Sequence, residues 1–230
     1  MNVAHRILAG LLCVGMSVSS NSCSSSKGTS SSIRPSVVEW QLAALNEPGA
    51  AGIRKSGNPL TIDSPKGRAV QFDGKEDGLF IDDNPLIRLS QFTVEVLFRP
   101  DPKGEPEQRF VHMGEVNGER LMIETRLTPD DQWYLDAHLR SGDSAKTLID
   151  KTLLHPTGKW CHVAVVVNNG KIDTFVDGNH ELSGAIRFAP LTKGQTSLGV
   201  RQNKRSWFKG AIATIRITPK CLTPEEFISR

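Results

Sequence analysis

The chain has 230 residues, with 28 Lys and Arg set against 25 Asp and Glu and a formal charge of +3 at neutral pH. That excess is too small, and its basic residues too interleaved with acidic ones, for a nucleic-acid surface, so no nucleic-acid partner is expected. Once a leader is set aside, about 200 residues remain, enough for one all-β domain whose core needs neither disulfides nor metals.

Residues 1–22 have the layout of a secretory signal peptide: His5 and Arg6 near the amino end, an apolar run over 7–18, then small polar residues. The apolar run is too short to cross a bilayer, which takes roughly 20 residues of helix. Cys23 follows the small Ser22 and precedes a Ser-rich stretch, an arrangement that resembles a bacterial lipobox, in which the cysteine is lipidated and becomes the new N-terminus. The lipobox prefers Leu three residues before the cysteine, where this chain has Ser20, and Cys13 fits less well because Leu12 is not small. Ordinary cleavage near Ser22 serves a plain secreted protein equally well. Residues 23–36 have the composition of a flexible tether. The expected location is extracytoplasmic: an outer-membrane or cell-surface lipoprotein that meets the membrane only through its lipid anchor, otherwise a secreted or periplasmic protein.

From Val37 onward, short apolar runs alternate with Gly, Pro and Asx turns, the pattern of an all-β sandwich or barrel. Residues 37–43 read as a first strand, and 69–72 with 79–82 as a pair around Asp73-Gly74. Over 92–99, Phe92, Val94, Val96 and Phe98 point one way and Thr93, Glu95, Leu97 and Arg99 the other. Further strands are expected over 109–113, 120–127 and 132–140. In the last of these, Trp133, Leu135, Ala137 and Leu139 oppose Tyr134, Asp136, His138 and Arg140. The run 160–167 is nearly continuously apolar, as in a strand buried on both faces. Asn168-Asn169-Gly170 then marks a hairpin into 171–176, which ends in Asp177-Gly178. Strands over 183–188, 196–200 and 208–217 follow. A short C-terminal helix is expected from Thr223 as N-cap, Pro224 at N1 and Glu226 at N3.

These segments, from about Val70 to Phe227, resemble the concanavalin A-like lectin/glucanase superfamily and its laminin-G-like jelly-roll domains. The resemblance is carried by Phe72-Asp73-Gly74, Gly78-Leu79-Phe80-Ile81 and Phe92-Thr93-Val94-Glu95. Its most specific part is Gly158-Lys159-Trp160-Cys161-His162-Val163-Ala164 followed by Phe175-Val176-Asp177-Gly178. Leu198-Gly199, Phe208-Lys209-Gly210-Ala211-Ile212 and Leu222-Thr223-Pro224-Glu225-Glu226 close the pattern. It implies two antiparallel sheets in a jelly-roll sandwich over 37–230, with Trp160 and the valines in its core and a groove on the concave sheet.

Related sandwiches are either glycan hydrolases or binding modules, and fold does not choose between them. The hydrolase branch it most resembles uses a Glu-x-Asp-x-x-Glu strand, which this chain lacks. Glu76-Asp77, Asp82-Asp83 and Asp130-Asp131 sit at turns, where carboxylates are ordinarily solvated, so no catalytic residue is assigned and the chain reads as no enzyme. Calcium is common in the wider family, with an aspartate after the Gly-x-Ile of the last long strand. Ala213 stands there, which disfavours that site and leaves only Asp73, Asp77 and Glu39 as oxygen donors elsewhere. His112, His138, His155, His162 and His180 lack ligand spacing, so no metal or cofactor is expected, and His162 reads as a structural hydrogen bonder.

Binding remains. Glu124, Arg126, Tyr134, Asp136, His138 and Arg140 are expected to share one face, with Arg99 beside them, and Trp207 is a further contact candidate. Equally, the strand residues are ordinary outward side chains and Trp207 a core residue. The function expected is a non-catalytic module recognising a glycan, or a cell-envelope or extracellular protein, through the concave sheet. A structural or adhesive envelope domain without a small ligand is the alternative, and a hydrolase with a non-standard carboxylate pair comes last. Cys161 is expected on the core side with Val163 and Val165. In an exported chain, Cys161 and Cys221 are either bonded or a pair of buried thiols.

Overall fold

A computed structural model describes residues 36–228, so the leader, Cys23 and nearly all of the tether lie outside the described residues. The strands, in order, are β1 (Val38–Gln41), β2 (Ile53–Ser56), β3 (Leu60–Ile62), β4 (Ala69–Asp73), β5 (Gly78–Ile81), β6 (Phe92–Pro100), β7 (Glu107–Gly114) and β8 (Arg120–Leu127). They continue as β9 (Gln132–Ser141), β10 (Ser144–Ile149), β11 (His155–Pro156), β12 (Cys161–Asn168), β13 (Lys171–Val176), β14 (Asn179–Ala185), β15 (Gln195–Leu198) and β16 (Lys209–Thr218). Among the described residues the one α-helical turn, α1, is Leu42–Leu45, and a 3-10 turn spans Pro224–Glu226.

Two antiparallel sheets form the sandwich. The first runs β14-β13-β12-β6-β16-β4-β3, with β1 beside β4 on the same edge of β16. The second runs β10-β9-β8-β7-β15-β5-β2, with β11 also on β9. Alternation along the strands drives one side of each sheet into a shared core. At its centre Phe98 stacks on Phe110 with ring centroids 4.4 Å apart, and Trp133 meets Phe98 edge-on at 5.4 Å. Phe208 lies 5.4 Å from Phe110 and 6.3 Å from Phe72. Such aromatic pairs add about 0.5–1.5 kcal/mol each beyond the area they bury.

The hairpins follow their turn chemistry. Asn169 and Gly170 both take positive φ, 44° and 80°, as do Asp177 and Gly178, at 47° and 73°. Two such residues twist the chain in the sense that matches the flanking strands. Because the second turn needs only Asp177 and Gly178, β14 starts at Asn179 and ends at Ala185, earlier than the expected 183–188.

Other expectations are corrected. Asp73-Gly74 does not join a hairpin: β4 pairs with β3 and β16 in the first sheet, β5 with β2 and β15 in the second, so the turn carries the chain between sheets. Trp160 is not in the sandwich core. Cys161 packs on that core, so alternation turns Trp160 outward onto Ala69, Leu97, Ala211 and Ala213. The core tryptophan is Trp133, fully buried. The C-terminal helix is one 3-10 turn, with the Thr223 N–H donating to the Glu226 carboxylate at 2.9 Å.

That tail closes the outer side of the first sheet. Phe227 lies 5.3 Å from both His162 and Phe175, and the Ile228 N–H donates to Glu95 Oε1 at 2.6 Å. Glu95, fully buried, also takes a bond from Arg216 Nε at 2.7 Å and pairs with His162 Nε2 at 3.1 Å. His162 is thus a structural hydrogen bonder under the tail, as expected. Cys161 and Cys221 are both free thiols, so the disulfide alternative fails. Cys161 opens β12 on the core side with its Sγ 3.5 Å from the Phe98 carbonyl, whereas Cys221 packs on the outer side beside the Val167 carbonyl. Six residue steps along β12 separate those points by about 20 Å, well beyond bonding reach.

Candidate binding face

The outer side of the second sheet gathers the polar residues. On β8 and β9 the register sets Arg126 opposite Tyr134, Glu124 opposite Asp136, and Met122 opposite His138. A β-bulge in β7 completes the face. Arg109 opposes Glu124 and Val111 opposes Ile123, leaving Phe110 as the extra residue. Phe110 and Val111 both enter the core, so Glu107 and Arg109 before the bulge and His112 after it all turn outward.

Glu124 and Asp136 form the floor, each with a side chain only 2% exposed. Arg109 Nε donates to Glu124 Oε1 at 3.0 Å, and Arg126 donates to Asp136 Oδ2 at 2.9 and 2.6 Å. Above them Glu107 receives Arg126 and, at 3.0 Å, Arg109. Burial, and secondarily Asp136, push the Glu124 carboxyl up to about 7 against the pull of Arg109 and Arg126. Burial likewise raises Asp136 although Arg126 opposes it. A protonated Glu124 leaves two carboxylates facing two guanidiniums, which balances the cluster. An acid pair with raised pKa is the raw material of glycoside hydrolysis, but these two acids are sealed beneath arginines rather than open to a substrate.

Two histidines of this face, His138 and His112, are held neutral. Burial and the surrounding arginines pull His138 down to about 4, and its Nδ1 meets Thr147 Oγ1 at 2.8 Å. Burial pulls His112 to about 4 as well. His112 Nε2 faces the Glu115 carbonyl at 3.2 Å, while its Nδ1 accepts the Gln202 N–H at 3.3 Å, so the proton belongs on Nε2.

Residues 200–206 form an excursion over this face. Gly199 N–H donates to the Phe110 carbonyl at 3.0 Å and Arg109 N–H to that of Ser206 at 2.9 Å, so the chain leaves and rejoins the edge of β7. Arg201 is tied to the Val116 carbonyl at 2.6 Å, and Ser206 Oγ receives Arg109. Trp207 then lies beside Glu107, half-buried, in a cleft of about 610 Å³ with Gly74, Lys75, Glu105, Pro106 and Ser206. Gly78 packs beneath it and makes room for Val200: a Cβ there would stand 3.5 Å from the Trp207 ring, an ordinary contact, but only 2.6 Å from Val200.

Six of the sequence candidates, Glu124, Arg126, Tyr134, Asp136, His138 and Trp207, therefore share one face. Arg99 does not. It belongs to β6 in the other sheet, whose outer side points the opposite way, and there it binds Asp101 and Gln71 at 2.8 Å and lies over Trp160. Glu107, Arg109 and His112 were missed because strict alternation cannot place both Arg109 and His112 outside. The apolar doublet Phe110-Val111 was the readable sign of a bulge. The oxygen donors left for calcium are engaged otherwise: Asp73 Oδ1 accepts three backbone N–H groups at 2.8–3.1 Å, and Asp77 accepts those of Asn58 and Asp73. Glu39, on β1, receives Gln41 at 2.8 Å.

Comparison with known proteins agrees with this architecture. Residues 73–227 match the family described as the concanavalin A-like lectin/glucanases superfamily, in its laminin G group. Domain 4 of AbnA, a GH43 extracellular arabinanase from Geobacillus stearothermophilus solved with arabinotriose, superposes with a TM-score of 0.60 at 23% identity, covering 84% of this chain and 95% of that domain. The binding domain of Paraclostridial Mosquitocidal Protein 1 gives 0.58 at 13% identity, covering 77% of this chain and 46% of that one. The Botulinum neurotoxin serotype G binding domain gives 0.58 at 10%, covering 76% and 44%. No curated protein matches the chain. With the family's pattern running over most of the chain and a two-sheet sandwich beneath it, this protein belongs to the concanavalin A-like lectin/glucanases superfamily.

Proposed function

We propose that the domain is a non-catalytic, extracytoplasmic binding module that recognises a glycan chain across the outer face of the second sheet. One observation carries this reading: Tyr134, Arg126 and Glu107 stand in a row across three strands, and Trp207 continues the row. Strands lie about 4.8 Å apart, so the row spans roughly 15 Å. Aromatic faces at its two ends suit the apolar faces of sugar rings, and the ion pair between them suits hydroxyl groups. The acids below are spent on Arg109 and Arg126, which fixes those guanidiniums in place before any ligand arrives.

Export and anchoring belong to the same proposal: Cys23 carries the lipid and 24–36 is the tether that lifts the domain off the membrane. Mass spectrometry of the mature N-terminus tests that part, and an unmodified terminus refutes it. A glycan array with the mature protein tests the binding. Retained sugars are expected, and Trp207→Ala and Tyr134→Ala should each weaken them about tenfold or more. An array without a hit refutes the glycan reading in favour of a protein partner.

A further inference from the structure

The excursion 200–206 divides the outer face, and beyond it lies a second cleft of about 330 Å³. Its lining is Arg54, Lys55, Phe80, Val116, Gln195, Gln202 and Lys204. The register carries the outer face this far: Ser197 pairs with His112 on one side and Phe80 on the other, and Phe80 pairs with Arg54. Phe80 is the floor. Arg54 Cζ stands 5.9 Å and Lys204 Nζ 5.8 Å from the centroid of its ring, so two cations converge on one aromatic ring.

Their charge is only partly compensated. Arg54 pairs with Asp82 at 3.2 Å, and Lys55 is spent on the Asn46 carbonyl. Lys204 has no carboxylate within ion-pair distance among the described residues, and no acid lines the cleft. Three cations against one neighbouring acid give a positive cavity that concentrates anions. The amides of Gln195 and Gln202 supply donors and acceptors on the same walls, held by Asp82 and by the Gly114 carbonyl at 3.0 Å each.

The tip of the excursion is built for this. Lys204 and Ser206 take φ of 57° and 58°, a left-handed conformation that non-glycine residues seldom adopt. The contacts around them impose it: Lys204 N–H to the Arg201 carbonyl at 2.8 Å, Arg201 to Val116, Gln202 to His112, and Ser206 to Arg109. Strain of this kind persists only where its surroundings over-determine it, and here it sets the Lys204 backbone so that its ammonium reaches over Phe80.

We infer that this cleft receives an anionic substituent of a sugar chain, a carboxylate or a sulfate ester, held between Arg54 and Lys204. The inference rests on the glycan reading above and names the chemical class of the ligand. Calorimetric titration of the mature protein uses an oligogalacturonate, a sulfated galactan oligosaccharide free of carboxylates, and a neutral galactan oligosaccharide. At least one anionic probe should bind more tightly than the neutral one and weaken as NaCl rises. Lys204→Asn removes the charge while tolerating left-handed φ, and should weaken that probe about tenfold or more with the melting temperature unchanged. Which anionic probe responds distinguishes carboxylate from sulfate. Equal binding of all three, no binding of either anionic probe, or indifference to Lys204→Asn overturns the inference. Trp207→Ala separates the two proposals. A neutral chain still sensitive to it while anion preference is absent overturns only this one, and Lys204 sensitivity without Trp207 sensitivity overturns only the row.

Discussion

Glu124 and Asp136 stand directly opposite each other on β8 and β9, and both are sealed from water beneath Arg126. Two acids side by side in a dry site cannot both ionise without cost, and that fact governs the chemistry of the whole face.

The pH dependence of stability follows. Burial raises Glu124 to about 7 from an ordinary 4.5. A carboxyl with a raised native pKa contributes stability that is whole below about 4.5 and is lost as pH rises through about 7. The melting temperature should therefore fall between pH 5 and pH 8. Glu124→Gln keeps an acceptor for Arg109 without the ionisation, and should flatten that fall and raise the melting temperature at pH 8 by several degrees. An identical slope in the variant contradicts the assignment.

Arg126 is the member whose loss is least compensated. Arg126→Met strands Asp136 and Glu124 in the interior and should cost about 3–5 kcal/mol in urea unfolding. Adding Asp136→Leu should recover much of that loss, because the pair is then replaced by apolar groups together. Strictly additive costs would mean that the two side chains do not interact.

The C-terminal tail should be stabilising rather than decorative. Phe227 packs on His162 and Phe175 over the Glu95–Arg216 pair. Phe227→Ala should destabilise by about 3 kcal/mol. Unfolding indistinguishable from the parent would show the tail to be undocked.

Cys161 and Cys221 should both titrate as thiols in the unfolded, unreduced domain. In the native state burial raises the Cys161 thiol well above its usual range, so it should resist alkylation longer than Cys221, whose thiol burial raises less. Absence of both thiols would reveal a bond that the geometry forbids.

What could be read from the sequence divides along physical lines. Strands at the centre of the sheets, such as β6 and β12, carry long apolar alternations and were legible. The edge strands β2, with exposed Arg54 and Lys55, β3, only three residues long with Leu60 exposed, and β10, with Lys146 and Thr147, were not, because one unpaired side leaves little apolar pattern. The cross-strand set Glu124, Arg126, Tyr134, Asp136 and His138 was legible because alternation alone decides which face a residue takes. Arg99 was misplaced because alternation assigns a face within a sheet but not the sheet. Trp160 was misplaced for a simpler reason: its neighbour Cys161 took the core side.

The most direct test of the binding-face account is to follow backbone amide resonances of the mature protein while titrating an array-selected oligosaccharide. Shifts are expected at Glu107, Arg126, Tyr134 and residues 200–207, with those around Arg99 and Trp160 on the opposite sheet left in place. Shifts confined to the first sheet, or none with any oligosaccharide, would contradict it.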